Sequence, residues 1–252
     1  MSNCKAVILA GGVGSRIRPY TFVVPKPLLP IGERPIIEIT LRWLKCFGID
    51  EVAIALGWRG AIIQSYLGDG SRYGLKIRYV QEEKRLGTVG PLCQLKDWID
   101  GDVFMMNGDI ITQLDVSMFL VAHKKANALL SVACKVHETK SPFGVLTVAH
   151  NQVVGLREKP TYREIISTGM YVLSPRVLDR IPRDQQYDIT DLMKTLIDEG
   201  KVVHSHLFEE PWVAIEQTGE LVDVAQNREW TTWADSLEHQ NLQKLSAVKI
   251  EN

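Results

Sequence analysis

A short apolar run followed at once by three glycines dominates the amino end of this chain. Ala6-Val7-Ile8-Leu9-Ala10 offers no polar residue to solvent, so it reads as a strand buried on both faces. Gly11, Gly12 and Gly14 come next, then Ser15, Arg16 and Arg18, then Pro25-Lys26-Pro27. A turn without Cβ atoms lets backbone N–H groups close around a phosphate. The cations that follow lie where a polyphosphate needs them, so the stretch from Lys5 to Ile31 predicts a nucleotide site. The dinucleotide fingerprint G-x-G-x-x-G fails here, because Ile17 stands where its third glycine belongs. The P-loop pattern fails as well, since no lysine directly follows these glycines.

Further along, buried strands alternate with helical segments. Glu33 to Phe47 predicts a helix stopped by Gly48, and Glu51 to Leu56 a second strand. A helix near Ala61 to Leu67 and a third strand at Lys76 to Val80 follow, then an apolar helix through Leu92, Leu95 and Trp98. Asp102 to Asn107 reads as a fourth buried strand that runs into Gly108-Asp109. This order implies βαβ units and a parallel sheet. Beyond it, Leu129 to Val136, Val145 to Ala149 and Val153 to Leu156 are strands without long helices between them, which predicts an antiparallel or mixed addition. Pro175 to Ile181, Asp188 to Gly200 and the tail from Leu221 onward read as helices, and Lys201 to Phe208 as a strand carrying His204 and His206. The tail's aromatic stripe is read as packing, against the domain or a second subunit.

Open α/β sheets bind ligands just past the carboxyl ends of their strands. Asp109 stands at such a place, where it is either a turn residue or a metal ligand. With 252 residues and a formal net charge of -1, the chain has a sizeable core but no broad basic field, so no nucleic-acid partner is expected. No stretch is apolar and long enough to span a bilayer and no signal-peptide pattern is seen, so no membrane partner and a cytoplasmic location are expected. Four scattered cysteines without a C-x-x-C pair suggest reduced thiols.

The segments Leu9-Ala10-Gly11-Gly12-Val13-Gly14-Ser15-Arg16 and Pro25-Lys26-Pro27-Leu28-Leu29-Pro30 resemble the sugar-1-phosphate nucleotidyltransferase family. The form R-L-G-T-x-G-P-L from Arg85 is most similar to its mannose- and heptose-1-phosphate guanylyltransferase branch. The resemblance implies a Rossmann-like, doubly wound α/β fold with a mixed, mostly parallel sheet and a small antiparallel sugar-binding addition. It implies one catalytic domain over 1–226, with a nucleotide-binding half at 1–112 and a sugar-binding half at 113–226, followed by a helical tail at 227–252. The substrates implied are a nucleoside triphosphate, GTP favoured over CTP, UTP or dTTP, and a sugar 1-phosphate. Mg²⁺ is the implied cofactor, and a homodimer the implied assembly.

Residue by residue, the resemblance assigns catalysis to Arg16, Lys26 and Asp109. Leu9, Ala10, Gly11, Gly12, Gly14, Ser15, Gln81, Gly87 and Thr88 would bind the nucleotide. Gly144, Glu158, Lys159 and Thr168 would bind the sugar phosphate. The family's second metal carboxylate lies in a W-x-D-I-G-T segment, which here reads Trp212-Val213-Ala214-Ile215-Glu216-Gln217. Either Glu216 replaces the missing carboxylate as a metal ligand beside Asp109, or the site is weakened and the protein is a non-catalytic nucleotide-binding subunit. An NAD-type oxidoreductase lacks its fingerprint here.

Overall fold

The computed structural model describes residues 4–82, 84–183 and 185–250. Residues 1–3, Glu83, Asp184 and the last two residues of the tail lie outside the described residues. The chain enters through β1 (Lys5–Ala10), makes a hairpin of β2 (Pro30–Ile31) and β3 (Arg34–Pro35), and continues into α1 (Ile36–Cys46). Next come β4 (Glu51–Leu56), α2 (Gly60–Leu67) and β5 (Lys76–Gln81). β6 (Val103–Asn107) and a short β7 (Ile110–Thr112) lead to α3 (Val116–Lys125). The long β8 (Leu130–Lys140) precedes β9 (Val145–Ala149), β10 (Gln152–Arg157) and the equally long β11 (Thr161–Leu173). The chain closes with α4 (Ile189–Asp198), β12 (Val203–Leu207), β13 (Trp212–Ala214), α5 (Thr218–Gln226) and α6 (Arg228–Ile250).

Seven strands form the central sheet in the order β12-β8-β11-β6-β1-β4-β5. β6, β1, β4 and β5 run parallel, β11 runs antiparallel to both of its neighbours, and β12 pairs parallel with β8. The sheet is therefore mixed and mostly parallel, and β9 with β10 forms a small antiparallel sheet of its own. Because side chains alternate along a strand, β1 feeds two cores. Ala6, Ile8 and Ala10 enter one, and Val7 enters the other. That is why its sequence is apolar from Ala6 to Ala10.

Three elements differ from expectation, and one of them, the helix expected over Pro175 to Ile181, is a 3₁₀ segment, Pro175–Arg180. The helix expected from Glu33 starts at Ile36, because Gly32, at φ +60°, turns the chain into the β2–β3 hairpin first. The helix expected through Trp98 is a 3₁₀ segment, Gly90–Leu95. Val89, Leu92 and Leu95 recur at intervals of three, and all are buried. That is the repeat of a three-residue turn rather than of an α-helix.

A buried polar cluster fastens the last helix to the first. Glu38 on α1 accepts from Arg34 Nη1 at 3.0 Å, Arg42 Nε at 3.1 Å and Tyr66 Oη at 2.8 Å. Arg34 also reaches Glu238 on α6 at 2.6 Å. Trp230 and Trp233 lie edge to face at 5.6 Å and pack against the main core, so these tryptophans serve the domain itself. Burial opposes the Glu38 charge, but the bonds from Tyr66, Arg42 and Arg34 outweigh it and hold the carboxyl below its usual range. A carboxyl depressed by folding contributes stability above its unfolded value of about 4.3 and loses it as the pH falls through the folded value. Glu38→Gln should therefore lower the melting temperature at pH 7 by about 5–10 °C, for a loss near 2–3 kcal/mol. Thermal melts from pH 7 to pH 3 should show that deficit shrinking below about pH 4.

Candidate active site

The glycine turn leaves β1 at the carboxyl end of the parallel strands. Gly14 adopts φ +64°, and a methyl there would lie 2.8 Å from Thr21 Cγ2. Thr21 Oγ1 donates to the Gly14 carbonyl at 2.7 Å, fixing this left-handed corner. Gly12 is different, since a methyl on it would meet nothing within 4 Å. Its bareness opens the backbone to a cavity of about 460 Å³. The cavity is lined by Leu9 to Ser15, Lys26, Gly87, Thr88, and Asn107 to Asp109, so ten of the residues singled out from the sequence converge there.

Lys26 sits between two prolines at the start of a 3₁₀ turn and is 9% exposed. Its ammonium pairs with the Asp109 carboxylate, which hangs just beyond β6. Gly108 carries the chain between them, and its N–H donates to the Leu9 carbonyl at 2.9 Å. The Ile215 N–H in turn donates to the Asp109 carbonyl at 2.9 Å, so Asp109 is held by backbone on both sides.

At the opposite end stands Glu82, which sequence reasoning missed. Its Oε2 would lie 2.7 Å from a methyl at Gly11, so a glycine is needed for the two to meet. Burial raises the Glu82 carboxyl above its usual value, and the Leu86 N–H, at 3.3 Å, offsets only part of this. Gln81, the residue singled out instead, is exposed at the end of β5 and does not line the cavity. Neighbours along a strand face opposite sides, and that alternation was the available signal. Arg85, Asn107, Gln186 and Asp188 also line the cavity.

A profile described as nucleotidyl transferase matches residues 5–235 of this chain. The chain belongs to the nucleotidyl transferase family. A UTP–glucose-1-phosphate uridylyltransferase of Synechocystis is 32% identical over 231 residues, covering 84% of this chain and 60% of that protein. A mannose-1-phosphate guanylyltransferase of Mycobacterium tuberculosis is 33% identical over 202 residues, covering 77% of this chain and 56% of that protein. The chain thus spans less than two thirds of the length of either relative. Among solved structures, a Bacillus anthracis protein described as a glucose-1-phosphate thymidylyltransferase superposes with a TM-score of 0.71 at 25% identity, covering 88% of this chain and 94% of that one. HddC of Yersinia pseudotuberculosis, solved with GMP-PN, has a TM-score of 0.69 at 21% identity and shares the fold.

In this member of the family the remaining residues singled out from the sequence lie outside the cavity lining. Arg16 is exposed and pairs with Glu216, bridging the glycine turn to the segment after β13. Glu158 folds over Gly144, its Oε2 2.9 Å from where a methyl would stand, and Lys159 follows at φ +43° in the turn to β11. Thr168 is 1% exposed, and its hydroxyl donates to the Ala133 carbonyl at 2.7 Å. That side chain is therefore occupied by the fold. Its own carbonyl accepts from Trp212 Nε1 at 3.0 Å.

Among the described residues, no group of three or more His, Cys, Asp or Glu side chains forms a metal cage. Mg²⁺ takes one or two carboxylates and completes its shell with phosphate oxygens and water. Asp109, a carboxylate on the cavity wall, fits that demand. The glycines divide into those that serve the fold and those that serve the opening. Gly14→Ala should cost about 1–2 kcal/mol of unfolding free energy from its left-handed backbone alone. Gly12→Ala should stay within about 0.5 kcal/mol of wild type. Chemical denaturation of the two variants checks this contrast.

Proposed function

We propose that this chain transfers a nucleotidyl group from a nucleoside triphosphate, GTP favoured, to a sugar 1-phosphate, giving a nucleoside-diphosphate sugar and pyrophosphate. The observation that carries the reading is the meeting of the glycine turn, Lys26 and Asp109 on one cavity wall. A phosphate oxygen of the sugar phosphate attacks the α-phosphorus in line. The bond from that phosphorus to the bridging oxygen breaks, and pyrophosphate leaves with the electron pair. The nucleophile is already an anion, so no general base is required. What the chain must supply is alignment and charge.

The bare backbone at Gly11 and Gly12 admits the phosphates, while Lys26 and Arg16 offset the charge that builds on the leaving pyrophosphate. Lys159 would take the sugar phosphate and Glu158 the sugar hydroxyls. Asp109, with Glu216 as second carboxylate, would hold Mg²⁺, which when bound draws charge off the phosphates. The Ile215 N–H bond to Asp109 supports that pairing, because it keeps the Glu216 segment beside Asp109.

Glu82 supports the preference for GTP. Guanine presents two adjacent donors, N1–H and N2–H₂, to the two oxygens of a carboxylate. Uracil and thymine present one donor between two carbonyls, which a carboxylate repels. A half-buried carboxylate with one weak protein partner gains most from a base that donates twice. The alternative, a binding subunit without turnover, is favoured by Ala214 alone.

Pyrophosphate release, measured over four nucleoside triphosphates crossed with hexose, heptose and aminosugar 1-phosphates, tests the proposal. Asp109→Asn and Lys26→Met should each lower turnover by about 10²–10³. Nucleotide binding without pyrophosphate release in wild type would favour the binding subunit instead. Glu216→Ala should weaken the Mg²⁺ dependence, and an unchanged Mg²⁺ titration would remove Glu216 from the metal site. Glu82→Gln should cut the ratio of kcat/KM for GTP over UTP by roughly tenfold or more, because its amide turns a donor toward guanine.

A further inference from the structure

We infer that Asp188 is a positioning residue for the nucleotide site, holding the Leu86–Val89 turn in place from the start of α4. The inference rests on the nucleotidyl-transfer reading above. The two segments are 100 residues apart in sequence and meet through a four-bond clasp. The Thr88 N–H donates to Asp188 Oδ1 at 2.9 Å, and the Ile189 N–H donates to Thr88 Oγ1 at 2.6 Å. On either side, the Tyr187 N–H donates to the Leu86 carbonyl at 2.9 Å and the Val89 N–H to the Tyr187 carbonyl at 3.2 Å. Gly87 permits this approach. It holds φ +76°, and a methyl on it would lie 2.6 Å from the Tyr187 carbonyl oxygen.

The clasp changes what Thr88 does. Its N–H donates to Asp188 and its hydroxyl oxygen accepts from the Ile189 N–H, which leaves the hydroxyl proton free to donate. The clasp thus fixes where Thr88 stands on the cavity wall. Asp188 and Gln186 face the same cavity, so the wall is built jointly by the turn and the segment before α4.

Asp188 also begins α4 with a capping box, in which Asp191 Oδ2 accepts from the Asp188 N–H at 3.2 Å. Helix capping by itself would explain a carboxylate at this position. Both carboxylates take part in the box, so removing either weakens the cap, but the hydrogen bond to the Thr88 N–H belongs to Asp188 alone of the two. Asparagine caps as well as aspartate and also presents an oxygen to Thr88.

The experiment compares full-length wild type with Asp188→Ala, Asp188→Asn and Asp191→Ala. It measures GTP affinity by calorimetry, KM for each substrate, kcat and the melting temperature. Asp188→Ala should raise both the Kd and the KM for GTP about tenfold, the loss of one hydrogen bond to a charged group. Its kcat and its KM for the sugar phosphate should stay within about twofold of wild type. Asp188→Asn should restore GTP affinity, and Asp191→Ala should lower the melting temperature without moving that affinity. Unchanged GTP affinity in Asp188→Ala, or an equal loss in Asp191→Ala, overturns the inference and leaves the transferase reading standing. A wild-type chain that binds no nucleoside triphosphate overturns both.

Discussion

A lysine ammonium nine-tenths removed from water must have an anion beside it, and Asp109 answers that need for Lys26. Leaving either charge alone in such a place costs about 3–5 kcal/mol. The pair therefore locks the proline-flanked turn onto the end of β6 across 83 residues of sequence. The glycine turn, which departs from the neighbouring strand β1, is drawn into the same corner. Gly108 completes the joint, since a methyl there would come within 2.8 Å of the Leu9 carbonyl oxygen. Under the reading proposed above, the two charges that hold this corner together would also receive a phosphate and its counterion.

The rest of the sheet keeps that corner rigid and open. Parallel strands β6, β1 and β4 end together, so their following loops converge on one edge. Cores on both faces leave these strands no freedom to slide. On the far side of the cavity the wall is assembled from the 86–89 turn and the approach to α4, neither of which forms a surface without the other. Glu82 stands between, a carboxylate that the fold desolvates and that no ion pair reaches among the described residues.

Much of this architecture was legible from hydrophobic pattern. The strands Glu51 to Leu56 and Val145 to Ala149 stand where their apolar runs placed them, and Lys76 to Val80 where the alternation of residues did. Pattern failed where the repeat was three rather than 3.6, as at Val89, Leu92 and Leu95, and where a glycine inserted a hairpin ahead of α1. In the site, the glycine turn, Lys26 and Asp109 were legible because each carries a chemical signature at a strand end. Glu82 was not, because Gln81 and Glu82 are both polar and only the phase of β5 tells which one faces Gly11. Thr168 looked like a pocket residue, yet the Ala133 carbonyl claims its hydroxyl.

The local order of residues by itself determined where the parallel strands of the first half run, where the backbone is bare enough for a phosphate, and which cations stand near it. These depend on side-chain volume, φ preference and alternation over a few residues. Only the tertiary structure decided that Asp109 neutralises Lys26, that Arg16 turns to Glu216, and that Asp188 closes on Thr88. Such pairings join segments between 83 and 200 residues apart. No local pattern encodes them, because the distance between two side chains is set by the path of all the chain between them.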